Sequence, residues 1–314
     1  MNKRRLGQTG LEVSEVAFGA WQLGNYDQWG GMTDADALNL VAAARDRGCN
    51  LFDTAPNYAK TNSERLLGQA LKGQRDQVVI VSKFGHRPKD GALDFSAEWF
   101  WESLHQSLER LQTDHLDVML AHSPPLEVLN GNHEIWPAMR EAQKQGKIRF
   151  YGASTDYSHE VNEVLDTTDA QVLELLFNVL HQDVRRSFDK VREKDVGVIT
   201  KVPLDSGWLS GKYTASSTFD GVRARWSADD IAARAKAVET VKTIVGDSAP
   251  LAQQALAYLL SYNEVTAVIP GIRSMAQLDS NFAAVGTRLS DDVKAQLEAF
   301  WNELTDNGQS LLPW

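Results

Sequence analysis

Eight short apolar runs recur along the chain, at 16–19, 50–53, 78–83, 116–122, 148–154, 172–177, 196–201 and 265–270. They are rich in Val, Ile, Leu and Phe, and they are too short for helices and too continuous for half-exposed strands. Buried parallel strands are the expected reading. Between them lie stretches with apolar positions three and four apart, at 34–48, 62–72, 97–111, 133–145, 158–167, 185–194, 250–262 and 274–285. That spacing predicts helices with one buried face. Strand–helix alternation implies right-handed parallel crossovers, and eight such units predict closure into a (β/α)8 TIM barrel. Residues 4–13 predict a β-hairpin around Gly7-Gln8-Thr9-Gly10, ahead of the barrel. Two further helices are expected, at 227–245 between strands seven and eight and at 290–304 near the end. With no linker or shift in composition, 1–314 reads as a single α/β domain. A doubly wound open sheet is the alternative, and no G-x-G-x-x-G follows any of the runs.

Composition narrows the partners. The chain has 314 residues and a formal charge of −10, and no basic run exceeds Lys3-Arg4-Arg5. Nucleic acid is disfavoured as a partner, because phosphate-backbone binding needs a concentrated basic surface. Cys49 is the sole cysteine, so disulfides within the chain and multi-cysteine metal sites are excluded. No stretch reaches membrane-spanning length and no apolar core follows the basic start, so a soluble cytoplasmic protein without a membrane partner is expected. The histidines show neither H-E-x-x-H nor paired ligand spacing, and no metal is expected.

In a barrel the chemistry gathers at the carboxyl ends of the strands. Asp53, Tyr58, Lys83 and His122 fall at or just beyond such ends on consecutive strands. Each alone has a plain structural explanation: a helix cap, a packed ring, a snorkelling lysine, a loop residue. Together they suit the polarisation of a carbonyl. A phenol with an ordinary pKa of about 10 is a poor proton donor near neutrality. A neighbouring Lys83 ammonium is expected to lower that value, with Asp53 holding the lysine and His122 orienting the carbonyl. Aromatic residues expected near the mouth are Trp21, Tyr26, Trp29, Phe84, His86, Trp208 and Trp226. Trp21 is the strongest of these, since it directly follows 18–20 at a strand end.

The chain resembles the aldo-keto reductases over essentially its whole length. The resemblance rests on Phe52-Asp53-Thr54-Ala55 with Tyr58, on Ser82-Lys83, on His122-Ser123-Pro124 and on Gly152-Ala153-Ser154. It continues in Pro203-Leu204, in the stretch from Gly207 to Tyr213, and in Ile269-Pro270-Gly271-Ile272-Arg273. It implies an oxidoreductase that moves hydride between NADP(H), with NAD(H) possible, and the carbonyl of an aldehyde or sugar-like substrate. Tyr58 is then the general acid/base, completed by Asp53, Lys83 and His122. Substrate contacts are expected at Trp21, Tyr58, Phe84 and His122.

Implied cofactor contacts begin with Gly19, Trp21 and Asp53, and continue with Ser154 and Thr155 at the nicotinamide carboxamide. Glu174 stands where relatives commonly carry Gln, and Lys201 where many carry Tyr. Pro203, Leu204, Gly207, Leu209, Gly211 and Lys212 would wrap the pyrophosphate. Gly271, Arg273, Gln277 and Asn281 would form the adenosine phosphate site. The same resemblance also implies an alternative role, a cofactor-binding redox-sensing subunit with slow turnover.

Overall fold

The computed structural model describes residues 1–29 and 32–313. A two-stranded antiparallel hairpin, β1 (Lys3–Arg5) and β2 (Glu12–Ser14), precedes eight parallel strands. These are β3 (Phe18–Gly19), β4 (Leu51–Asp53), β5 (Val79–Phe84), β6 (Leu116–His122), β7 (Ile148–Thr155), β8 (Val172–Leu176), β9 (Gly197–Lys201) and β10 (Val265–Val268). Each pairs with the next in sequence order. The seam between first and last closes through parallel bridges from Val16 to Val268 and from Gly19 to Gly271. Ala17 N–H donates to the Val268 carbonyl at 2.9 Å, and Val268 N–H to the Glu15 carbonyl at 3.0 Å. The expected (β/α)8 barrel is the observed fold.

Two apolar cores follow from the strand alternation. Inward side chains, among them Leu51, Val81, Val118, Leu120, Val172 and Ile199, fill the barrel. Outward ones pack against the helix layer, where the 97–111 helix buries Phe100, Leu104, Leu108 and Leu111. Each fully buried aliphatic or aromatic side chain contributes about 1.5–3 kcal/mol. Serine and threonine caps start the 34–46, 97–111, 228–245, 275–282 and 291–304 helices, each accepting a backbone N–H in the first turn.

The hairpin seals the amino end of the barrel. Leu6 and Val13 join the interior cluster, and Gly7, with φ of +48°, lies so close that a Cβ there would stand 2.3 Å from the Gly197 nitrogen. The opposite end, where the strands finish, is left open. Both extra helices form, as Ala228–Val245 between β9 and β10 and Asp291–Leu304 near the end. The segment expected as a helix over 185–194 divides into a 3₁₀ stretch, Asp183–Ser187, and a short helix, Phe188–Glu193.

Candidate active site

A cleft of about 620 Å³ opens at the carboxyl ends of the strands, a size in the range of small-molecule sites. Asp53 arrives at the end of β4 and Lys83 one residue before the end of β5. His122 ends β6. Tyr58 begins a 3₁₀ turn in which Ala59, Lys60 and Thr61 all have positive φ, of 51°, 51° and 77°. Three successive non-glycine residues in the left-handed region are strained. The turn holds because its flanks are tied: the Thr54 and Ser63 hydroxyls share a hydrogen bond of 2.9 Å, and Ser63 donates to the Ala20 carbonyl at 2.9 Å.

The four expected residues converge. The fully buried Lys83 ammonium donates to both oxygens of Asp53, at 2.7 and 2.6 Å, and to the Thr54 carbonyl at 3.1 Å. It lies 5.3 Å from the centre of the Tyr58 ring. The Tyr58 and His122 rings meet edge to face at 5.8 Å. His86 stands edge-on to His122 at 4.7 Å. Asp53, Tyr58, His86 and His122 all line the cleft.

The electrostatics differ from the sequence-based expectation. Burial is the strongest influence on the Tyr58 phenol, and it pushes ionisation far above the ordinary range; the Lys83 ammonium opposes this without overcoming it. The charges of Asp53 and then of Glu174 of β8, whose Oε2 approaches the Lys83 Nζ at 3.1 Å, add to the effect of burial. One ammonium therefore faces two carboxylates, and its pull on the phenol is largely spent. Burial works against the charge on Lys83, but Asp53 and Glu174 outweigh it and keep the ammonium protonated. Burial, followed by the Glu174 charge, lifts the Asp53 carboxyl well above the usual carboxylate range. Burial and then the Lys83 charge hold His122 well below the ordinary histidine value, so its imidazole is neutral.

Farther along, the cleft is lined by Gly19, Trp21, Lys201, Pro203, Leu204, Gly207, Lys212, Gly271, Arg273, Gln277 and Asn281, as expected. Positive φ at Asp205, Ser206, Gly207 and Gly211 curls the 205–210 strap beside it. That strap is anchored from behind. The Arg234 guanidinium, fully buried, donates from Nε to Asp205 at 3.2 Å and from Nη2 to the Pro313 carbonyl. His181 approaches the same Asp205 at 3.4 Å.

Several expected contacts fall elsewhere. Phe84 does not line the cleft: strand alternation turns it away from Lys83, and it is buried edge-on against Phe95 and Phe100 at 5.9 and 5.0 Å. Leu209 is core, and Gly211 and Thr155 also lie off the wall. Ser154 sits behind it, accepting from Lys201 at 2.9 Å and donating to Glu174 at 3.2 Å. Lys201 is committed besides to Ser123 at 3.0 Å and Asp156 at 2.7 Å. Trp208 and Trp226 are buried with Tyr213 and Phe219, and Tyr26 bonds Asp34 outside the cleft.

Sequence reasoning missed several lining residues, among them two arginines and two side-chain amides. Arg223 and Arg225 join Lys212 and Arg273 among the cations lining the cleft, signalled by two arginines close together in the 213–227 loop. Gln22 and Asn57 also line it, each with a buried side-chain oxygen that accepts no hydrogen bond; their signal was adjacency to Trp21 and Tyr58. The donor set fits a nicotinamide dinucleotide: Lys212, Arg223, Arg225 and Arg273 offer cations for phosphates, Gly207 lets backbone approach, and the Tyr58 phenol lines the same cleft. Among the described residues, no group of three or more His, Cys, Asp or Glu is placed to hold a metal ion.

Residues 15–302 match the profile of the Aldo/keto reductase family. The chain is 32% identical to L-galactose dehydrogenase of Arabidopsis thaliana over 90% of its own length and 87% of that protein. It is 27% identical to the NADH-specific methylglyoxal reductase of Escherichia coli strain K12, covering 93% of this chain and 95% of the other. The solved holo-form aldo-keto reductase from Bacillus halodurans superposes with a TM-score of 0.81, at 26% identity and 96% coverage of both chains.

Proposed function

Because the chain belongs to the Aldo/keto reductase family, we propose that it is an NADP(H)-dependent cytoplasmic oxidoreductase of aldehydes or sugar-like carbonyls, with Tyr58 as general acid/base. The observation that carries this reading is the convergence of Tyr58, Lys83 and His122 at a cleft that Lys212, Arg223, Arg225 and Arg273 also line.

A bound nicotinamide dinucleotide supplies the hydride; the chain's own residues bind, orient and protonate. The neutral His122 imidazole offers a hydrogen bond that positions the carbonyl oxygen. The Tyr58 O–H gives its proton to that oxygen as negative charge develops there. The phenol is protonated near neutrality, so the proton is in place; burial makes it a weaker acid, which gives the proton up only as the more basic alkoxide develops on the substrate. Asp53 holds Lys83 charged behind the phenol. The cationic lining, with Arg273 at the start of the 275–282 helix, supports preference for a phosphorylated adenosine. The free acceptor Asn57 Oδ1 beside Tyr58 supports a hydroxylated substrate, since an unmatched buried oxygen gains from a substrate O–H.

The test follows NADPH absorbance with purified protein and a panel of aldoses, short aldehydes and aromatic aldehydes. Turnover that falls about 10²–10⁴-fold in Tyr58→Phe supports the proposal. No turnover with any member, or an unchanged rate in that variant, overturns it.

A further inference from the structure

Lys83 has three N–H donors, and all three are engaged: two by Asp53 and one by the Thr54 carbonyl. The Tyr58 phenol competes for the same ammonium, and nothing is left for Glu174. The second carboxylate is correspondingly ill-served. Glu174 Oε1 accepts from Ser154 at 3.2 Å, but Oε2 approaches Lys83 at 3.1 Å without hydrogen-bond geometry and accepts from no donor. Asp53 and Glu174 are 2% and 1% exposed, and Lys83 is fully enclosed. Two ionised carboxylates and one ammonium would leave an uncompensated negative charge there, which is strongly unfavourable.

One proton resolves both problems. We propose that Asp53 and Glu174 hold a single proton between them beside Lys83, and that Glu174 thereby acts as a positioning residue that leaves a Lys83 N–H to face Tyr58. The proton turns one carboxyl oxygen from acceptor into donor toward the other carboxyl. That removes one claim on the ammonium and makes the cluster neutral. It comes from solvent on folding, and nothing is oxidised or reduced. The raised ionisation of Asp53, from burial and then from the neighbouring Glu174, agrees with it.

The other charged or titratable groups around the pair do not supply an alternative counter-charge. Lys201 reaches Ser154 rather than Glu174 and is paired with Asp156. His122 is held neutral, and Tyr58 carries no charge near neutrality. The positioning half of the proposal rests on the reading of Tyr58 as the acid; the shared proton does not.

The first experiment therefore uses apoprotein without cofactor or substrate. The infrared difference spectrum of wild type minus Glu174→Gln at neutral pH is expected to show a carboxylic-acid C=O band that shifts in D₂O. Asp53→Asn is expected to abolish the same band, and this second variant decides the matter if Glu174→Gln does not fold. Absence of the band overturns the proposal. Urea unfolding of wild type and Glu174→Gln across mildly acid to mildly alkaline pH gives an independent readout. A proton held more tightly in the folded state makes wild type lose stability relative to the variant as pH rises; parallel pH dependences would sink the idea. For positioning, kcat/KM for 4-nitrobenzaldehyde with NADPH is expected to show an alkaline step in wild type that Glu174→Gln lacks. Coincident profiles overturn that half.

Discussion

The fully buried Lys83 ammonium is clasped by both oxygens of Asp53, at 2.6 and 2.7 Å, just beneath the floor of the cleft. Cutting one side of such a pair leaves the other buried and unmatched. Lys83→Met is expected to destabilise the protein by about 3–5 kcal/mol near neutrality. The sign with pH follows from what remains. Asp53, already raised by burial, binds its proton more tightly folded than unfolded once its cation is gone, so the variant is best tolerated at acid pH and weakens as pH rises. Urea unfolding at mildly acid and mildly alkaline pH checks this; a loss that shrank on the alkaline side would contradict it.

His122 provides a second pH signature, of opposite sign. Its imidazole is held well below the ordinary value by burial and by Lys83. A base that binds protons less tightly when folded lowers stability as pH falls below about 6.5, the unperturbed histidine value. His122→Asn is expected to flatten that acid-side loss, as measured by unfolding between pH values above and below that point.

Gly19 marks the barrel seam. A Cβ there would lie 2.6 Å from the backbone oxygen of Ile269, an atom that cannot swing aside. Gly19→Ala is therefore expected to force β3 from β10 and to destabilise by about 1–3 kcal/mol, the usual range for overpacking. Because Gly19 also lines the cleft, dinucleotide affinity is expected to fall as well, measured by fluorescence quenching.

Arg273 tests the cofactor preference. Its backbone N–H donates to the Gln277 side chain at 3.0 Å, which orders the first turn of the 275–282 helix beside the cleft. Arg273→Met is expected to weaken NADPH binding by roughly tenfold and NADH binding far less, since a charge-assisted bond to phosphate is worth about 1.5–3 kcal/mol before solvent competition. Equal losses for the two cofactors would remove the argument for phosphate recognition there.

The barrel was legible because its strands are buried on both faces and read as continuous apolar runs, while its helices carry a three-four spacing. The convergence of Asp53, Tyr58, Lys83 and His122 was legible from strand ends. What escaped was conformational or collective. Nothing in Ala59-Lys60-Thr61 announces left-handed backbone, because no glycine marks it. Phe84 was misjudged for want of applying the strand period one residue past Lys83. The balance at Tyr58 depends on how many carboxylates share Lys83, and Glu174 comes from a strand 91 residues away in the chain, a distance no local pattern bridges.

The Arg234 guanidinium grips the strap through Asp205 and the Pro313 carbonyl at once. The far end of the polypeptide is thus mechanically wired to the cleft. Whatever stiffens the strap tightens the tail, and by reciprocity a tail drawn elsewhere slackens the strap. Residues near 313 therefore help to set where the 205–210 strap lies beside the cleft.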